Sequence, residues 1–374
     1  MSLIEWIFWG LIFVVFYSYL GYGLLLFILI KLKRLLRGTK VVHPITELPE
    51  VTLFIAAYNE RAYVKAKMEN TFSLNYPKDK LKIVWVTDGS DDGTPEEVLR
   101  YKNDQTEVLH LPERGGKIGA MNRGMKFITS PIVVFCDANT MLGEESIMRI
   151  VRLFTDPKVG CVSGEKRVMS IGTEAASATE GLYWKYESTL KKWDAELYSV
   201  VGAAGELFAV RRELYRDVEK DTLLDDFMIS LRIAMDGYTI QYDPDAYAME
   251  HPSANVKEEL KRKVRISAGG IQSVIRLLPL LNLFKYGTLS FQYISHRVLR
   301  WTLSPLALPL LFILNLGILI TNIDPISQAF YSLIFIGQLI FYGTALIGWY
   351  FESKGIRAVD RKSTRLNSSH ITIS

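Results

Sequence analysis

The sequence predicts an α/β protein, a mostly parallel sheet with helices on both faces, carried on transmembrane and interfacial helices. Three observations lead there. Charged residues are absent from Trp6 to Ile30, from Trp301 to Ile323 and from Pro325 to Phe351. Each stretch exceeds the ~20 residues a helix needs to cross a bilayer. Between them, short β-branched and apolar runs alternate with helical patterns, the signature of parallel strands covered by helices. Polar clusters close these strand-like runs: Tyr58-Asn59-Glu60, Asp88-Gly89-Ser90 and Asp137-Ala138-Asn139. In open α/β sheets ligands bind beyond those carboxyl ends.

The first apolar stretch reads as a retained anchor. A secretory signal has a basic segment before an apolar core of ~7–15 residues, whereas here the run is longer and its basic residues follow it. Lys31, Lys33, Arg34, Arg37 and Lys40 then lie on the cytoplasmic side, with the N-terminus outside. Lys354, Arg357, Arg361 and Lys362 after the last stretch give the same orientation in the plasma or inner membrane. The expected layout is an anchor over 1–30, a basic linker over 31–49, a cytoplasmic α/β domain over 50–255, and basic, amphipathic interface helices over 256–300. Transmembrane helices over 301–323 and 325–351 and a tail over 352–374 complete it. The closing KSTRLNSSHITIS reads as sequence foreign to a native terminus.

Composition narrows the classes. A net charge of +4 over 374 residues gives no nucleic-acid signature, and the basic residues cluster beside the spans, where membrane lipids are the partner. Cys136 and Cys161 make no disulfide framework, which suits a reducing compartment.

Within the central block, VTLFIAA, LKIVWVTD, TEVLHL and PIVVFCD are expected as strands. Helical segments from Glu60 to Asn75, EEVLRYKN and KIGAMNRGMKFI lie between them. A long helix over ATEGLYWKYESTLKKWDAEL, a loop at VGAAGELFAV and a helix opened by the acids of LLDDF follow. VKEELKRKVRISAGGIQSVIRLL and the apolar run after it, interrupted by charges, have the spacing of helices lying in the membrane interface.

Several motifs carry chemistry. VTDGSDDGT ends a strand in an acid, a glycine and a serine, so Asp88 and Ser90 can meet a base and ribose where glycine lets the backbone approach. Gly115 and Gly116 precede Lys117 at a helix N-terminus, where amides and an ammonium meet phosphate. The spacing is not that of a P-loop, and no Gly-x-Gly-x-x-Gly follows the first strand, which argues against a nicotinamide cofactor. Asp137 and Asn139 in CDANT offer oxygen ligands for Mg2+ or Mn2+, with His251 a weaker candidate. Asp225 and Asp226 open a helix, where an acid suits the dipole and a carboxylate can also take a proton.

Taken in order, these motifs resemble family 2 glycosyltransferases of GT-A fold, most closely the membrane-bound branch of cellulose, hyaluronan and poly-N-acetylglucosamine synthases. The resemblance spans roughly residues 50–300. It implies inverting transfer from a nucleotide-diphosphate sugar, a UDP-sugar in the first instance, with a divalent cation. It makes Asn59, Glu60, Asp88, Ser90, Lys117 and Asp137 donor contacts, with Asp88 on the nucleobase. Asp226 becomes the base, Asp225 stands in place of the family's glutamate, and Gly202, Ala203 and Ala204 face the acceptor. Asn139 replaces the second acid of Asp-x-Asp, so weaker metal binding is expected. Arg262 and Arg265 stand where the processive synthases carry Gln-x-x-Arg-Trp, the glutamine and tryptophan being absent; three apart on one helix face, they are further donor contacts that can grip the departing diphosphate. Arg300-Trp301 reads as an interfacial anchor. The acceptor is a growing polysaccharide or, alternatively, a lipid or lipid-linked sugar; a degenerate binding protein is the non-enzymatic rival. Three spans are few for an export channel, which a longer native C-terminus or self-association would have to complete.

Overall fold

The computed structural model describes residues 2–37, 47–168, 174–250, 256–321 and 324–353. Eight strands form one sheet: β1 (Val51–Ala57), β2 (Leu81–Asp88), β3 (Thr106–Leu111), β4 (Ile132–Asp137), β5 (Met141–Leu142), β6 (Val159–Val168), β7 (Leu207–Arg211) and β8 (Thr239–Glu250). Their spatial order is β3-β2-β1-β4-β7-β6-β8-β5. β1 lies parallel between β2 and β4, Val51 opposite Leu81 on one side and Ile132 on the other. Burial on both faces explains why these strands read as unbroken apolar runs.

The pleat sorts β1 into two cores. Phe54 joins Val84, Val86, Met121, Phe135 and Met228, while Leu53 and Ile55 join Ile83, Trp85, Val64 and Met68 on the opposite face. The parallel expectation describes the half of the sheet from β3 to β4. Beyond it the sheet is mixed. β7 inserts antiparallel between β4 and β6, β8 runs parallel to β6, and β5 pairs antiparallel with β8. A short strand after a glycine-rich loop carries no mark of direction, so the sequence pattern could not reveal this.

The chain forms two compact units, Met1–Val15 with Ser253–Lys261 and Pro305–Ser374, and Phe16–Pro252 with Arg262–Ser304. In the first, Phe8, Leu311, Ile318 and Tyr331 form a core, and the Trp9 indole donates to the Tyr331 hydroxyl at 3.2 Å. The second holds the sheet. Three stretches, Leu3–Leu36, Leu303–Thr321 and Pro325–Tyr350, are helical, long and apolar enough to cross a membrane.

The expected linker begins as helix, which runs on to Arg37. Lys33 donates to the carbonyls of Glu196 and Leu197, and Arg34 makes a forked pair with Glu196. These basic residues therefore secure the C-terminal end of the Glu174–Leu197 helix, where cations complement the exposed carbonyls. The closing tail from residue 354 lies outside the described residues.

Candidate active site

Three loops leave the carboxyl ends of β1, β2 and β3. The first turns at Asn59, whose φ of 56° lies in the left-handed region that asparagine tolerates. Its side chain exchanges two hydrogen bonds with Asp91, donating at 2.8 Å and accepting from the amide at 3.1 Å, and its own amide donates to Ser90 Oγ at 3.2 Å. Asn59 and Ser90 thus lace the first two loops together. Glu60 follows, half-buried, with its amide on Thr94 Oγ1. Burial, with Asp137 and Asp92 nearby, lifts its carboxyl to about 7.

Asp88 is buried, and its Oδ2 accepts the Gly115 amide at 2.8 Å. Arg123 lies 3.8 Å from its other oxygen and donates to the Thr87 carbonyl. The carboxylate expected on a nucleobase therefore also fixes the loop before Lys117.

Lys117 stands on the Gly116–Gly124 helix and reaches three acids. Its ammonium is 3.0 Å from Asp137 at the end of β4 and 3.4 Å from Asp225. Burial disfavours its charge, but Asp137 and Asp225 outweigh that, with a further contribution from Asp226, and hold it protonated. Asp137 is braced by a residue no motif signalled. The fully buried Lys67 donates to the Thr140 carbonyl at 2.6 Å, and Thr140 donates back to the Asp137 carbonyl. In the sequence Lys67 sits between Val64, Met68 and Thr71 on the apolar face of its helix, the one available hint.

The Asp225–Met235 helix begins with both candidate catalytic acids. Asp225 is buried, and its Oδ2 has no hydrogen-bond partner. Burial, then repulsion from Asp225 and Glu206, raises Asp226 to about 7 against the opposing pull of Lys117. The loop expected to face the acceptor packs on this helix. Gly202 has φ 86°, and a Cβ there would stand 2.1 Å from the Phe227 ring, so only glycine fits. Ser230 Oγ accepts the Ala203 amide and Ser163 Oγ that of Ala204, both at 3.0 Å. A Cβ on Gly205 would come 3.3 Å from the Asp226 carboxyl.

Glu206, next in that loop, went unremarked in the sequence. Its carboxylate is 2.7 Å from buried Lys166, which also binds Glu250, and 3.6 Å from Arg262. Burial opposes Glu206's charge, yet Lys166 keeps its carboxyl below the ordinary range. Arg262 therefore meets the loop beside Asp226. Arg265 is exposed, with no hydrogen bond or ion pair recorded among the described residues.

The helix bearing both arginines packs closely here. A Cβ on Gly269 would meet Leu224 at 2.7 Å and one on Gly270 would meet Trp301 at 2.6 Å. Trp301 in turn lies 4.9 Å from the Phe227 ring. This corrects the reading of Arg300-Trp301 as an interfacial anchor. Trp301 backs the helix that carries Asp226, and Arg300 binds Glu187.

Asp137 and Asn139, both partly exposed at the end of β4, suit a cation that completes its shell from a diphosphate and water. Among the described residues no group of three or more His, Cys, Asp or Glu could hold a metal by itself. His251 lies outside the described residues.

The family described as Glycosyltransferase like family 2 matches residues 49–269. The chain is similar to a poly-β-1,6-N-acetyl-D-glucosamine synthase of Staphylococcus aureus, 26% identical over 237 residues that make up 62% of this chain and 57% of the relative. The synthase of Staphylococcus epidermidis is 24% identical over 259 residues, 68% of this chain and 62% of that one. The match thus spans little more than half the length of these relatives. In fold the chain is similar to a mannosyltransferase of Pyrobaculum calidifontis, solved with GDP-Man and Mn2+. That likeness has a TM-score of 0.70 at 24% identity and covers 92% of this chain and 98% of that one. With more than half of its length matched, from the first strand through the helix behind Asp226, the chain belongs to Glycosyltransferase like family 2 and is a glycosyltransferase of GT-A fold.

Proposed function

We propose that the chain transfers a sugar, with inversion, from a nucleoside-diphosphate sugar to a growing polysaccharide at the cytoplasmic face of the membrane. The observation that carries this reading is Asp226. It is a carboxyl titrating near 7, against Gly205 of the acceptor-side loop and one residue from the Asp225–Lys117–Asp137 chain. A base is most effective when its affinity for the proton lies near the working pH.

In the transfer, Asp226 takes the proton of the acceptor hydroxyl as that oxygen attacks the anomeric carbon. The bond to the diphosphate breaks, and the nucleoside diphosphate leaves with its electron pair. Lys117 and Arg265 offset the negative charge that grows on it. Asp137 and Asn139 are the residues that would hold Mg2+ or Mn2+, whose chemistry there is further neutralisation of the diphosphate. The basic residues from Lys31 to Arg37 favour the cytoplasmic placement.

A lipid-linked acceptor is the second reading. The exposed Leu260, Val264, Ile271 and Ile275 on the helix of Arg262 favour it, because they would suit an acyl or prenyl chain.

Radiolabelled UDP- and GDP-sugars offered to membranes containing the chain test both. We expect one donor to give a metal-dependent product of high molecular mass. A product extracted into organic solvent selects the lipid acceptor, and no turnover of any donor removes the proposal.

A further inference from the structure

Behind the turn that carries Asp137 and Asn139 lies a charge that packing alone does not explain. Lys67, on the Arg61–Phe72 helix, is fully buried, and among the described residues no carboxylate pairs with its ammonium. It donates to the Thr140 carbonyl at 2.6 Å, with the Cys136 thiol beside it. Taking an ammonium out of water with no acid to meet it is costly, so buried charges are as a rule paired or attend a metal. Val64, Met68 and Thr71 are buried on the same helix without any charge. A methionine in place of the lysine would fill the same space. The stability of the fold therefore does not account for Lys67.

Its hydrogen bond falls on the residue that closes the turn. The Thr140 hydroxyl and amide both donate to the Asp137 carbonyl, at 3.0 and 3.4 Å. Asp137 and Asn139 are partly exposed, whereas Ala138 and Thr140 are buried. Lys67 thus grips from inside the segment whose outer side presents both candidate ligands. One helical turn on, Asn70 grips the chain beyond, donating to the Leu142 carbonyl and accepting the Leu142 amide, both at 2.8 Å. The two differ in kind. Asn70 completes a neutral, reciprocal pair of the sort that holds any fold together, whereas Lys67 commits a buried charge to one carbonyl.

We infer that Lys67 is a positioning residue for the cation of the transfer reaction: by holding the Thr140 carbonyl it sets the turn so that Asp137 and Asn139 meet one ion. Groups that orient metal ligands from behind govern affinity, and their loss weakens it by about 10–100-fold. The dependence is strong here because Asn139 brings an uncharged oxygen, so geometry must supply what a second carboxylate would. The inference rests on the reading of Asp137 and Asn139 as the cation's ligands.

The test measures Mn2+ bound by the full chain in detergent, from the loss of the free ion's paramagnetic resonance signal, alone and with equimolar pyrophosphate. We expect the native chain to bind Mn2+ and Asp137→Ala to lose it. Lys67→Met removes the ammonium at nearly constant volume. It should weaken Mn2+ binding by about 10–100-fold while the melting temperature holds or rises. Asn70→Ala, which cuts the neutral pair, should lower the melting temperature and keep the Mn2+ affinity. Native Mn2+ affinity in Lys67→Met overturns the inference and makes the lysine structural. An equal loss of Mn2+ in Asn70→Ala also overturns it, because any loosening of the helix would then suffice. Should Lys67→Met lose both stability and Mn2+, retained affinity in Asn70→Ala sustains the inference. Failure of the native chain to bind Mn2+ in either condition overturns the cation reading itself.

Discussion

Two clusters of charge in this protein, one partly exposed and one buried, use the same residue types to opposite ends. In one, Lys117, Asp137, Asp225 and Asp226 crowd together; one Asp225 oxygen has no hydrogen bond, and Asp226 is driven up to about 7. In the other, each carboxylate oxygen meets a donor. Asp194 receives the Tyr22 hydroxyl and the Gln292 amide on one oxygen and faces His296 Nδ1 at 2.6 Å on the other. Glu187 takes Arg300 on one oxygen and faces His296 Nε2 at 3.3 Å on the other. Burial works against the charge of Glu187, yet His296 and the arginines hold its carboxyl well below the ordinary range. Both clusters pay for desolvation. Only the second sets a donor or cation against each carboxylate oxygen, and it fastens the Tyr22–Arg37 helix to the Glu174–Leu197 helix and the helical segment at His296. An acid that burial and an acidic neighbour press upward keeps an affinity for protons and can do chemistry; an acid ringed by donors and cations holds structure.

Single substitutions should separate the two clusters. The largest effect is expected from Asp226→Asn, which keeps shape and hydrogen bonding but cannot take up a proton. General-base catalysis contributes ~10²–10⁴-fold, so the rate of transfer should fall by that factor. Nucleotide affinity should stay unchanged and the melting temperature should hold or rise, since a charge crowded by Asp225 and Glu206 is removed. Near-normal transfer would make Asp226 a helix-capping acid, for which asparagine is an almost equal substitute. Asp194→Asn should do the reverse. Leaving a buried partner unpaired costs about 3–5 kcal/mol, so chemical denaturation should show that loss while turnover per folded molecule persists. Equal stability with lost turnover would move the second cluster into the mechanism.

The contrast also marks what the sequence could disclose. Asp226, Asp137 and Lys117 were legible because each sits in a short motif at a strand end or helix start, and the structure brings the three together. The strands were legible as apolar runs, β1 above all. Lys67, Lys166, Glu206, Glu187, Asp194 and His296 were not, because each is an ordinary polar residue until the fold sets it beside a partner. Asp194 and His296 are 102 residues apart in the chain. Trp301 was misjudged for a related reason. Its place beside a run of apolar residues suggested a membrane interface, whereas Gly270 makes room for it behind Phe227. The direction of β7 was hidden because antiparallel insertion depends on tertiary pairing.

The central claim, that Asp226, raised by burial and by its neighbour Asp225, is the base, is tested most directly by titration. Asp226 has its folded affinity raised from an ordinary 3.8 to about 7. Its ionisation therefore costs stability, which should decline as pH rises from about 4 to about 7 and then level off. Glu187, with its affinity lowered, supplies stability that is present above its ordinary value of 4.5 and lost as pH falls. Transfer needs the ionised base, so its rate should climb with pH to a plateau above about 7. The measurement is the pre-steady-state rate of sugar transfer between pH 5 and pH 9, roughly two units either side of the expected midpoint, in the native protein and in Asp226→Asn. The account predicts a rise with a midpoint near 7 in the native protein and a low, flat profile in the variant. A flat native profile, or the same rise persisting in the variant, would contradict it.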